Sequence, residues 1–163
     1  MLFKRHSSVV INGCSSMFDS RLLLLLHAAA TLFMCGAIAI VQVVHYPLFN
    51  MVGRDQFAAY ENAHTNLITL VVGPAMLLEA ACVLGLLLER PGSWLAWIGA
   101  ALLTVVWVST AFLQVPQHGV LSSGFNQRAF EVLVQSNWLR TLAWWARGVI
   151  ACVLVWQAML QNP

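Results

Sequence analysis

The sequence predicts an all-α polytopic membrane protein, a four-transmembrane-helix bundle with short interfacial helices in its two longer loops. Two observations carry that expectation. Hydrophobic residues make up 60% of the 163 and charged residues 9%, with a mean hydropathy of +0.78, whereas soluble domains hold roughly 45–50% apolar and 25% charged residues. Four apolar segments, 22–44, 67–88, 94–115 and 139–160, approach the ~20 residues that cross a hydrocarbon core of ~30 Å. The expected organisation is an N-terminal tail (1–21), a single transmembrane domain (22–160) and a C-terminal tail (161–163), with no second domain.

Taken in order, the tail MLFKRHSSVVINGCSSMFDSR is basic, but the apolar run after it is too long for a signal-peptide core and lacks a small-residue cleavage site. It reads as an uncleaved anchor, or as a tail added by an upstream start, since Met17 is an equally good first residue. In the first span, His27, Thr31, Cys35, Ile38, Gln42 and His45 fall near one stripe at 100° per residue, and Pro47 is expected to end the helix. Gly53 and Asp55 offer a helix start, with Phe57, Tyr60 and His64 at helical spacing, so the 53–66 connection is expected to form an interfacial helix. In the second span, Gly73-Pro74 should kink the helix and free carbonyls. ERPGS (89–93) is a short turn. Asn126 is placed to cap a second interfacial helix carrying Phe130, Leu133 and Val134, before Asn137 and Trp138 introduce the fourth span.

An even number of spans puts both termini and ERPGS on one face. Lys4, Arg5, Arg21 and Arg90 there, against Arg54, Arg128 and Arg140 opposite, favour cytoplasmic termini by the positive-inside rule; a start at Met17 reverses the vote. The expected location is a bacterial inner (cell) membrane. The two hairpins also superpose at an offset of 73 residues, matching Thr31 with Thr104, His45 with His118, Leu48 with Leu121 and Phe57 with Phe130, which raises a duplicated hairpin. Cys14, Cys35, Cys82 and Cys152 form no CxxC, and three lie in spans, where cysteine is a small packing residue. A net charge of +2 gives no footing for nucleic acid.

Alternation of the spans brings the end of the first, the start of the second, the end of the third and the start of the fourth to one membrane face. His45, Tyr46, His64, Asn66, Gln114, His118, Asn137, Trp138 and Arg140 gather there. Polar side chains at membrane depth are costly unless they turn inward, pair or meet water, so a polar pocket is expected at this mouth. His45, His64 and His118 are candidate transition-metal ligands or acid/base groups, with Asn137 and Arg140 orienting a substrate oxygen. His27, Gln42, Gln114 and Trp138 are candidate cofactor contacts. The competing reading leaves His45 at the headgroups and Trp138 in an aromatic belt. Deeper in the bundle, Glu79 and Arg147 lie near mid-span with a depth difference of roughly 7 Å at 1.5 Å per residue. An unpaired charge at that depth costs on the order of 2.5–3.5 kcal/mol or more, which makes them a structural ion pair. Trp107, Trp144 and Trp145 either line a site for a flat aromatic ligand or pack.

The segments TAFLQVPQHGVLSSGF and LVQSNWLRTLAWWARGVIA carry Val115, Pro116, His118, Leu121, Asn137, Trp138, Arg140 and Thr141. This pattern resembles the third and fourth spans of a family of small four-helix integral membrane proteins of unknown function that includes anthrone oxygenases. The resemblance covers the C-terminal half and implies oxidation of an aromatic substrate. A fainter likeness, in LLLHAAATLFMCGAIAIVQVVHYPLF, is similar to the first span of the copper-resistance-D and haem-binding protoporphyrinogen oxidase group. It implies haem ligation by His27, although the accompanying arginine or lysine pattern is missing.

Two functional classes follow. One is a membrane oxidoreductase or oxygenase acting on a hydrophobic aromatic molecule, with a transition metal or haem as the cofactors to consider. The other is a non-catalytic carrier or accessory subunit whose mouth binds a lipid or a protein partner. The chain contains no nucleophile elbow, phosphate loop, HExxH or GxGxxG, which disfavours hydrolase, kinase and nucleotide-dependent chemistry.

Overall fold

A computed structural model describes the backbone of residues 4–161 and the side chains of residues 20–161. The side chains of Lys4, Arg5 and Cys14, on which part of the orientation and cysteine arguments rest, lie outside the described residues. Among the described residues four helices are long and apolar enough to cross a membrane: span 1 (Ser20–Phe49), span 2 (Arg54–Glu89), span 3 (Trp94–Leu121) and span 4 (Gln127–Gln161). The chain is an integral membrane protein built as an all-α four-helix bundle, with no strand among the described residues.

The helices overrun the expected segments at one end. Spans 2 and 4 are unbroken α-helices of 36 and 35 residues, about 54 Å long at 1.5 Å per residue. The segments expected as separate interfacial helices are therefore the first turns of these spans. Asn126 does cap a helix, its Oδ1 accepting from Ala129 N at 2.9 Å, but the helix is span 4 itself. Span 2 likewise continues through Pro74.

Pro47 does not end span 1, and Pro116 does not end span 3. In each, a wide π-turn lies just before the proline: Val41–His45 closes with Tyr46 N–H bonded to Val41 O, and Thr110–Gln114 with Val115 N–H bonded to Thr110 O. Proline lacks an N–H and crowds the carbonyl four residues back. One extra residue in the preceding turn absorbs the misfit and lets the helix proceed. These twin turns revise the repeat. Val41 corresponds to Thr110 and Pro47 to Pro116 at an offset of 69, while the helix starts Arg54 and Gln127 correspond at 73. The second connection is thus longer by four residues, and the structural counterpart of His45 is Gln114 rather than His118.

Span 1 packs on spans 2 and 4, span 3 packs on span 4, and the seam between spans 2 and 3 is the thinnest. Apolar and polar layers alternate along the bundle. Leu24, Leu86 and Leu154 form one end; Met34, Ile38, Met76, Val106, Ala143 and Trp144 form the middle; Tyr46, Phe49, Phe57, Leu121, Ala129 and Leu133 close the other end. Because lipid is as apolar as leucine, such a bundle is held by close packing and internal polar contacts. Gly148 supplies one such contact, since a Cβ there would stand 2.9 Å from Cys35 Sγ.

Candidate functional site

The layer between the middle and the aromatic end is polar, and all four spans contribute to it. Gln42, Glu61, His64, Gln114, Asn137 and Arg140 are all buried there. Asn137 Nδ2 donates to Gln42 Oε1 at 2.8 Å, and Arg140 Nη1 donates to Asn137 Oδ1 at 3.0 Å. Arg140 and Tyr46 line the same cavity, and the Tyr46 hydroxyl stands 3.3 Å from His118 Nε2. His118 Nδ1 in turn lies 2.5 Å from Glu61 Oε1. Gln114 is held separately, accepting from Ser109 Oγ and donating to Ser136 Oγ, both at 3.0 Å.

Tautomers follow from this pattern. A carboxylate only accepts, so the Nδ1 hydrogen of His118 points at Glu61, and Nε2 keeps a lone pair for the Tyr46 hydroxyl. The result is a carboxylate that orients an imidazole whose free nitrogen can take a proton. Glu61 Oε2 and Arg140 Nε have no hydrogen-bond partner although buried. Such orphaned groups are rare and point to a ligand or water.

His45 and His64 complete the cluster. His45 Nε2 and His64 Nδ1 are 2.8 Å apart, and the Tyr60 hydroxyl is 3.5 Å from the same His45 nitrogen. The ring centroids of His64 and His118 are 5.7 Å apart. The three histidines expected at the mouth do meet, His45 with His64 through their ring nitrogens and His64 with His118 as neighbouring rings. Among the described residues no three His, Cys, Asp or Glu side chains are arranged to hold a metal ion.

A cavity of about 610 Å³ adjoins the cluster, within the usual 300–1,000 Å³ range of ligand pockets. Tyr46, His64, Gln114, His118 and Arg140 form its polar end, and Met34, Ile38, Val72, Met76 and Trp107 its apolar depth. Leu77 and Val115, on spans 2 and 3, line it while remaining more than half exposed, so the cavity meets the lipid-facing surface at the thin seam.

The other sequence-derived candidates separate. Trp138, proposed as a cofactor contact, is 43% exposed and stands on the outer face of span 4, as does Trp145; Asn66 is exposed too. His45 is only half-buried because the π-turn advances the helical phase by a residue, which brings Tyr46 onto the inward stripe in its place. His27 lies one polar layer away with Thr31, Glu79 and Arg147 and does not line this cavity. In that layer Arg147 Nη2 meets Glu79 Oε1 at 3.0 Å, Trp144 Nε1 donates to Glu79 Oε2 at 2.9 Å, and Arg147 Nη1 donates to the Gly99 carbonyl. Of the three deep tryptophans, Trp144 therefore holds the ion pair and Trp107 lines the cavity. Glu61 and Tyr46, which stand close enough in sequence to the histidines to share protons with them, were not among the candidate catalytic, cofactor or metal residues, yet they are central to the cluster. Phe57, Glu61 and His64 share one helical stripe, which was the available signal for Glu61.

The chain matches no protein-family model, no curated protein and no solved structure.

Proposed function

We propose that this protein takes an oxygen-bearing aromatic molecule from the bilayer and removes a proton from it, as the first step of oxidation by dioxygen. The observation that carries the reading is the Glu61–His118 pair, with Tyr46 and Arg140 beside it, at the polar end of a largely apolar cavity. An amphipathic ring system fits that division, with its rings against Met34, Met76 and Trp107 and its oxygen toward Arg140 and Tyr46. His118 Nε2, directly or through the Tyr46 hydroxyl, accepts the proton from an activated C–H. Arg140 and Tyr46 then stabilise the negative oxygen, and Gln42 and Asn137 hold Arg140 in place.

The oxidative half rests on the resemblance to the anthrone oxygenase family. The carbanion adds dioxygen, the peroxide anion takes back the proton held by His118, and the resulting hydroperoxide loses water to leave a carbonyl, so that anthrone plus dioxygen yields anthraquinone plus water. A bacterial inner membrane with cytoplasmic termini is the setting proposed.

Anthrone supplied to the purified full-length protein in detergent tests the reading. Oxygen uptake and anthraquinone formation should both be accelerated, and His118→Gln should remove the acceleration. The lateral opening at Leu77 and Val115 also suits a non-catalytic carrier. Saturable anthrone binding with no acceleration by the wild-type chain would select that reading and discard the catalytic one.

A further inference from the structure

Gln114 is buried at the end of the π-turn in span 3 and lines the substrate cavity, yet the proposed reaction gives it no part. The wide turn decides where its amide points. Ser109 stands five residues before it, the repeat of a π-turn, so the two side chains meet on one side of the helix and Ser109 Oγ donates to Gln114 Oε1 at 3.0 Å. On span 4 the Ser136 hydroxyl gives its one hydrogen to the Leu133 carbonyl at 3.3 Å, and so accepts from Gln114 Nε2 at 3.0 Å. The two serines therefore fix which end of the amide is nitrogen. That nitrogen carries two hydrogens, of which Ser136 takes one, and the other has no partner among the described residues. Hydroxyls elsewhere on the cavity wall are committed, for Thr65, Thr69, Thr110 and Ser122 each donate to a carbonyl of their own helix.

We infer that Gln114 donates this N–H to a second oxygen of the bound ring system, the one that the reaction adds; the inference rests on the oxidation proposed above. Gln114 precedes His118 by four residues, one turn and ~6 Å along span 3, and both line the cavity. The carbon that gives its proton to His118 is the carbon that gains oxygen. The new oxygen therefore arises within a turn of Gln114, while the first stays with Arg140 and Tyr46. Anthrone has one oxygen and anthraquinone two, so the contact is missing for the substrate and made once the carbon–oxygen bond has formed. An interaction of that kind favours the later steps over the bound substrate. The alternative is that Gln114 only ties span 3 to span 4 through Ser136. The two roles differ in whether loss of the amide distinguishes the two ligands.

The test compares anthrone and anthraquinone on the full chain in detergent, under anaerobic conditions, by quenching of tryptophan fluorescence, for which Trp107 in the cavity wall serves. Deuterium exchange at the acidic carbon of anthrone, in deuterium oxide without oxygen, reads the His118 base separately. Gln114→Leu should weaken anthraquinone binding by roughly five- to tenfold, the loss of one hydrogen bond, and leave anthrone binding and exchange at wild-type values. Anthraquinone bound as tightly as by the wild type, or equal weakening of both ligands, would overturn the Gln114 contact and leave the His118 base standing. A wild-type chain that binds neither ligand, or exchanges no faster than His118→Gln, would overturn the proposed reaction and this inference together. If Gln114→Leu fails to fold, Ser136→Ala removes the acceptor that fixes the amide and is read against the same outcomes.

Discussion

Glu61 of span 2 and His118 of span 3 approach to 2.5 Å, joining the two helices across the seam where the bundle is otherwise thinnest. The carboxylate has one oxygen on the imidazole and the other without a partner, so its charge can be removed with little change in shape. Glu61→Gln keeps the volume and removes the carboxylate charge beside His118. Deuterium exchange into anthrone should fall by about a hundredfold, the order associated with a positioned base, while binding measured by tryptophan quenching stays near wild type. An unchanged exchange rate would show that the carboxylate does not tune the histidine.

The Glu79–Arg147 pair should behave as a buried pair whose halves depend on each other. Replacing either alone, by Gln or Met, leaves an uncompensated charge that costs about 3–5 kcal/mol. Replacing both should recover much of the loss in a double-mutant cycle followed by thermal unfolding in detergent. Additive losses would mean that the pair contributes no coupling.

Gly148 and Cys35 form a second coupled pair, steric instead of electrostatic. Gly148→Ala places a methyl group 2.9 Å from Cys35 Sγ, and overpacking of this kind costs about 1–3 kcal/mol. Adding Cys35→Ala removes the sulfur and should return the melting temperature most of the way, even though it also deletes the contact from Sγ to the Trp144 carbonyl at 3.1 Å.

Topology is tested with reporter fusions placed after residue 163 and in the 50–53 connection between spans 1 and 2. Four spans require that the two report opposite sides of the membrane. The same side from both would demand a different number of crossings.

Composition and periodicity were enough for the class and for the gathering of polar groups. Four apolar runs leave no alternative to a helical bundle in lipid, where every backbone group must bond within its own segment. Alternating directions then force His45, His64, His118, Asn137 and Arg140 toward one end, and the cost of a lone charge near mid-span pairs Glu79 with Arg147. What the sequence alone does not determine is rotation about each helix axis. The π-turns ahead of Pro47 and Pro116 add a residue that no 3.6-residue pattern anticipates, so that Tyr46 takes the inward position assigned to His45; the longer second connection shifts the repeat offset from 69 at the prolines to 73 at the following helix starts. The segments 53–66 and 126–138 are polar enough to suggest separate interfacial helices, whereas packing of Phe57, Leu121, Ala129 and Leu133 over the bundle end continues the spans through them. Only that packing brings Glu61, deep in an apparently solvent-facing segment, onto His118. An ion pair near mid-span follows from the cost of desolvation, but a carboxylate–imidazole pair at the mouth depends on two helix rotations that neighbouring side chains decide.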